Sequence, residues 1–140
     1  MASVIGLRLD SLVQVDSGLA STPGGVWIPG QSFDLGPDTA PQSVGIAAQF
    51  AIANGGTTDG YHLRAWVQWS DNGTTWPDNN QGTLVAVHIN NTGGASITKS
   101  KVWDLPRPLL RYGRLCYVSD NVSDTLTITS HVAMRLYQAA

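Results

Sequence analysis

The stretch Thr125-Leu-Thr-Ile-Thr-Ser-His-Val-Ala-Met-Arg-Leu-Tyr137 decides the fold. Leu126, Ile128, Val132, Met134 and Leu136 fall on one side of an extended chain. Thr125, Thr127, Thr129, His131, Arg135 and Tyr137 fall on the other. A period of two is the mark of a strand with one buried face. Thirteen residues at roughly 3.3 Å each would reach about 43 Å, well beyond a typical strand. The run is expected to bend, to switch sheets or to extend to a neighbour.

The same alternation recurs upstream. Val44, Ile46, Ala48, Phe50 and Ile52 form one apolar face, and Asn54-Gly-Gly-Thr-Thr-Asp-Gly60 turns the chain. Tyr61, Leu63, Ala65, Val67 and Trp69 form a second face, with His62, Arg64, Trp66 and Gln68 opposite. Val85, Val87 and Ile89 continue the pattern before Asn90-Asn-Thr-Gly-Gly94, and further strands fit 95–104 and 111–119. Composition agrees: all ten acidic residues are aspartate, which favours turns and caps over helix interiors. Seven or eight strands between Gly/Asn/Asp turns predict one all-β domain over 1–140, an antiparallel, jelly-roll-like β-sandwich without an internal repeat.

Residues 17–43 break this regularity. Gly18, Gly24, Gly25, Gly30, Gly36, Pro23, Pro29, Pro37 and Pro41 interrupt every candidate element. Yet Trp27, Ile28, Phe33 and Leu35 sit inside the stretch, and a solvated linker has little use for large apolar groups. The segment is expected to lie against a surface, either its own sheet or a neighbouring subunit. As an arm on a partner, those four residues would be its anchors. Loops of this length in small domains are uncommon and tend to be functional.

Charged residues make up only 13% of the chain and the net charge is −2, which argues against sequence-independent nucleic-acid binding. A surface this thin in charge suits subunit contacts. Five of the eight basic residues, Lys99, Lys101, Arg107, Arg111 and Arg114, cluster in one stretch. Arg107, Arg111 and Arg114 are either ordinary surface charges or a patch for an acidic partner, and Arg107 and Arg111 are the candidate interface residues of the second reading. Pro106 and Pro108 would stop sheet extension beside them. Cys116 is the sole cysteine and is expected as a small buried residue. No signal peptide and no membrane-spanning apolar run are evident, so synthesis in a cytoplasm is expected.

The one local signature is Trp66-Val-Gln-Trp-Ser-Asp-Asn-Gly-Thr-Thr-Trp-Pro77. Asn72-Gly73 suits the positive φ of a tight hairpin turn, with Asp71 accepting backbone donors and Trp76 folding back towards the strand of Trp69. Trp66 lies opposite the buried face. It is covered by its own chain, or anchors an interface, or offers a stacking platform to a sugar ring. Chemistry is poorly supported. His62, His88 and His131 lack metal-ligand spacing, Asp71 and Asp78 depart from a calcium loop, and no nucleophile elbow or phosphate loop is present. No enzyme activity, catalytic residue, metal or cofactor is expected.

Asp71-Asn-Gly-Thr-Thr-Trp76 resembles the core of the Asp-box hairpin of sialidases, without the serine two positions before the aspartate, where Trp69 stands. That likeness implies a structural turn. Over 44–137 the chain resembles small all-β virion proteins of tailed bacteriophages. The likeness rests on its threonine- and glycine-rich, cysteine-poor style, the Trp69–Trp76 hairpin and the strand opening Leu110-Arg-Tyr-Gly-Arg-Leu115. It implies a capsid decoration (cement) protein on the capsid exterior, a homotrimer bound to the major capsid protein, with neither nucleic acid nor membrane as partner. The competing class is a carbohydrate-binding, tail-fibre or baseplate β module.

Overall fold

The computed structural model describes residues 5–6, 12–36, 44–54, 61–90, 98–105, 110–120 and 125–136. They form strands β1 (Ile5–Gly6), β2 (Val13–Ala20), β3 (Ile28–Pro29), β4 (Phe33–Asp34), β5 (Val44–Asn54), β6 (Tyr61–Ser70), β7 (Thr83–Asn90), β8 (Thr98–Leu105), β9 (Tyr112–Ser119) and β10 (Leu126–Leu136). The described chain is all-β, in two sheets. One is ordered β2-β10-β5-β8; the other runs β1-β4-β9-β6-β7, with β3 also on β9. All pairings are antiparallel except β1 with β4.

β3 and β4 are two pieces of one broken strand lying along β9. Ile28 pairs with Tyr117 and Pro29 with Cys116, then Phe33 with Gly113 and Asp34 with Tyr112. Gly25 N donates to Ser119 O and Leu35 N to Arg111 O, so the run follows β9 along its whole length. The segment expected to press on either its own sheet or a neighbour therefore lies, as far as Gly36, on its own sheet; Ser17–Ala20 already belong to β2, and residues 37–43 lie outside the described residues. With β3 and β4 taken as one strand and β1 set aside, eight strands remain. In chain order they stand 1-8-3-6 in one sheet and 2-7-4-5 in the other, a jelly-roll-like nesting of first and last strands.

The inward faces follow the alternation. Ala48, Phe50 and Ile52 of β5, Leu63, Ala65 and Val67 of β6, Leu115 and Tyr117 of β9, and Leu126, Ile128 and Val132 of β10 share one core. Phe33 and Leu35 belong to it as well, and Trp69 packs against it. Two candidate interface anchors are thus core residues, because the broken strand turns them between the sheets. The side chains of Val44, Ile46, Tyr61, Val85, Val87, Ile89, Met134 and Leu136 lie outside the described residues.

β10 covers eleven residues, Leu126–Leu136, and neither switches sheets nor leaves the domain. It is an inner strand, bonded to β5 from Leu126↔Asn54 to Leu136↔Val44 and to β2 on its other side. Its irregularity is taken up against β2, where the register shifts between Ile128 and Ser130 and again between Ser130 and His131. Such bulges bend and twist a strand. Here they turn both Val15 and Asp16 inward. The long strand and the apolar segment, two features that allowed contact with a neighbouring subunit, are both used within one chain.

Candidate functional site

Asp16 is the first unusual group. Only 3% exposed, it sits between the sheets and accepts three hydrogen bonds. Tyr117 Oη and Ser130 Oγ each donate to Oδ2 at 2.8 Å, and Gln31 N donates to Oδ1 at 2.7 Å. A buried carboxylate is tolerable only with such partners. Between Pro29/Cys116 and Phe33/Gly113 the broken strand gains one residue on β9, and the Gln31 N–H freed there goes to Asp16. The approach demands glycine at position 30, where a Cβ would lie 2.6 Å from Asp16 Oδ2 and 2.8 Å from Leu115 O. Burial pushes the Tyr117 phenol well above its usual range, and the Asp16 charge pushes the same way. One carboxylate thus ties β2, β10, β9 and the broken strand together.

The second is the outer face of the larger sheet. Register places Pro29, Cys116, Trp66 and Leu84 side by side on β3, β9, β6 and β7. Trp27 stands edge-on to Trp66, ring centres 4.9 Å apart. Trp66 is half-buried, partly covered by its own chain, and its Nε1 is the one buried side-chain donor without an acceptor among the described residues. Ile28, on the opposite side of the broken strand, packs against the core. Cys116 is fully buried, as expected; burial pushes its thiol up to about 11, with Arg114 nearby pulling the other way.

The loop 71–82 closes one end of this face. Its turn is organised by Ser70 and Asn72 where Asp71 was expected to do so. Asn72 Oδ1 accepts from Thr74 N at 2.9 Å and Thr75 N at 2.8 Å, and Ser70 Oγ accepts from Gly73 N at 3.0 Å. Gly73 has φ of 74°, and Asp71 is exposed. Asparagine supplies in one side chain both the acceptor and the Nδ2 donor to Thr75 Oγ1, which aspartate would lack. The loop then folds back, with Trp76 beneath the Arg114 guanidinium at 4.7 Å. Gln68, on the side opposite the core-facing residues of β6, is nevertheless only 2% exposed. Its Nε2 donates to Asp78 O at 2.6 Å and to Gln81 O, and its Oε1 accepts from Arg114 Nε at 2.8 Å. Glutamine's paired donor and acceptor pin the loop to the sheet.

The remaining candidates separate from this face. Arg111 forms a two-pronged pair with Asp34, at 2.7 and 2.8 Å, and this guanidinium holds the Asp34 carboxyl below its usual range despite partial burial. Arg107 lies outside the described residues. His62 pairs with Asp120 at 2.6 Å on the surface. Among the described residues no three His, Cys, Asp or Glu side chains converge as metal ligands do.

No protein-family model matches the sequence, and no curated protein matches it. Solved structures do share the fold. The VP2 subviral particle of infectious bursal disease virus superposes with a TM-score of 0.55 at 15% identity, over 89% of this chain and 32% of VP2. The T13 particle of the same virus gives 0.55 at 14% identity, over 90% of this chain and 31% of that one. Dimeric latent PorU from Porphyromonas gingivalis gives 0.54 at 12% identity, over 100% of this chain but 14% of PorU. The chain spans about a third of VP2 and about a seventh of PorU. At these identities the likeness establishes the β-sandwich fold.

Proposed function

We propose that this chain is a non-catalytic structural protein of a virion that binds an assembled shell from the outside and stabilises it. The observation that carries the reading is the fold itself: nine-tenths of the chain matches a sandwich found in a viral particle. Jelly-roll sandwiches recur in viral capsids, and also in lectins. The finer form of the proposal is a decoration protein of a tailed-bacteriophage capsid, with the major capsid protein as partner. It draws on the resemblance of the Trp69–Trp76 hairpin and the Leu110–Leu115 strand opening. The apolar row through Trp66 suits contact with protein more than chemistry on a small molecule.

The test is binding of the purified chain to shells that lack it, measured by co-sedimentation, beside a glycan array with wild type and Trp66→Ala. Saturable binding to shells, with a higher temperature of shell disruption and no glycan signal, is the expected result. Glycan binding lost in Trp66→Ala, without shell binding, would replace the proposal with a carbohydrate-binding module.

A further inference from the structure

Asn72-Gly73 places the parts of a cyclisation in one exposed turn. The Gly73 nitrogen is a nucleophile with no side chain to hinder it. Asn72 Cγ is an electrophile one residue before it, and Asn72 Nδ2 is a group that can leave as ammonia. Groups joined by the chain need no encounter. In the folded turn each of them is held by another partner. Gly73 N donates to Ser70 Oγ at 3.0 Å. Asn72 Oδ1 accepts from Ser70 Oγ at 3.1 Å, from Thr74 N at 2.9 Å and from Thr75 N at 2.8 Å. Asn72 Nδ2 donates to Thr75 Oγ1 at 3.2 Å. Beyond the turn, Gln68 Nε2 on Asp78 O and Arg114 over Trp76 pin the same loop to the sheet.

We propose that Asn72 is a latent modification site, converting to aspartate and isoaspartate, which Ser70 and Thr75 hold unreactive while the loop stays pinned. In the reaction the Gly73 nitrogen bonds to Asn72 Cγ and gives up its proton. The Cγ–Nδ2 bond breaks, and ammonia leaves carrying that proton. Water then opens the resulting succinimide, at Cγ to give aspartate or at the main-chain carbonyl to give isoaspartate. One water enters and one ammonia departs, with no change of oxidation state. The Gly73 N–H cannot serve Ser70 and be lost at once, and Cγ is held while Oδ1 keeps its donors. The reaction therefore waits on local opening of the turn, and the pins at Gln68 and Arg114 set how often that occurs. Both products lack the Nδ2 donor to Thr75. Isoaspartate also adds a methylene to the main chain just before Gly73, where a Cβ would already lie 3.1 Å from the Tyr112 ring. The turn cannot lengthen there and keep its seat on Tyr112, so the modification makes an opening of the loop permanent. The inference is independent of the virion reading and holds whether or not the chain meets a shell.

Incubation of the full chain in mildly alkaline buffer, folded or unfolded in urea, with peptide mapping of residue 72 over time, tests it. The map separates Asn72 from the other Asn-Gly pair, Asn54-Gly55. Conversion at residue 72 should be at least about tenfold slower in the folded chain, since several hydrogen bonds must break first. In the folded chain Ser70→Ala should speed it about tenfold and Thr75→Val about threefold, with neither altering the rate in urea. Thr75 is exposed, so its variant keeps the β spectrum and decides the matter should Ser70→Ala disturb the fold. Gln68→Ala should speed conversion too, and converted wild type should be cut faster by protease within 71–82. A folded chain converted as fast as the unfolded one, a Thr75→Val or Gln68→Ala chain no faster than wild type, or an Asn72 that stays intact even in urea would each overturn the proposal.

Discussion

Replacing Asp16 by alanine is the sharpest perturbation of the fold. It removes the shared acceptor of Tyr117 Oη, Ser130 Oγ and Gln31 N, the first two being on fully buried residues. Each buried donor left without a partner costs about 1–3 kcal/mol. Deleting the carboxylate also removes its own desolvation penalty, and water entering the vacated space recovers part of the rest. The net expectation is about 2–4 kcal/mol, a fall in Tm of about 10 °C for a domain of this size. Asp16→Asn should cost about 1 kcal/mol. It keeps the shape and one acceptor oxygen, and both hydroxyls can rotate to accept from the new amide. Urea unfolding followed by tryptophan fluorescence, with the slope held constant, reads both values. A cycle with Tyr117→Phe should show coupling of at least about 0.5 kcal/mol. An alanine variant as stable as wild type, or an asparagine variant as damaging as alanine, would refute the account of the carboxylate.

Three further outcomes follow from the same geometry. Gly113→Ala should destabilise by about 2 kcal/mol or more in thermal unfolding, because a Cβ there would lie 2.5 Å from Phe33 Cε2 and 2.7 Å from Trp69 Cζ3. Stability should fall at alkaline pH. Burial raises the Cys116 thiol from 9.0 to about 11 and the Tyr117 phenol well above 10.0, so the unfolded chain releases these protons first. Their contribution is complete below pH 9 and is lost progressively above it; Cys116→Ala should flatten the thiol's part, and the folded thiol should resist Ellman's reagent at pH 8. Gln68→Ala should free the 71–82 loop, seen as faster amide exchange and proteolysis within it, while hydrogen exchange in β5 and β10 stays slow.

What the sequence made legible was whatever period two controls. The inward faces of β5, β6 and β10 follow directly from alternation, and Cys116 was readable as a buried residue inside a strand-like run. The broken strand was not legible, because Pro29 and Gly30 mark an ending while pairing with β9 carries the chain through. Phe33 and Leu35 therefore looked like anchors for a partner when they are core. Asp16 carried no signal at all. It follows Val15 in a strand, and only the bulge against β10 turns both residues inward. In the Asp71–Trp76 turn the residue types were right and the working side chain was misjudged. The apolar row depends on register between four strands, which no local pattern encodes.

The central claim is that the chain is a structural part of a virus particle. Quantitative mass spectrometry of density-purified particles from its native source tests that most directly. The account predicts the chain in the particle fraction at a fixed ratio to the major capsid protein, retained through repeated banding. Its absence from purified particles, with all of it in the soluble fraction, would contradict the account.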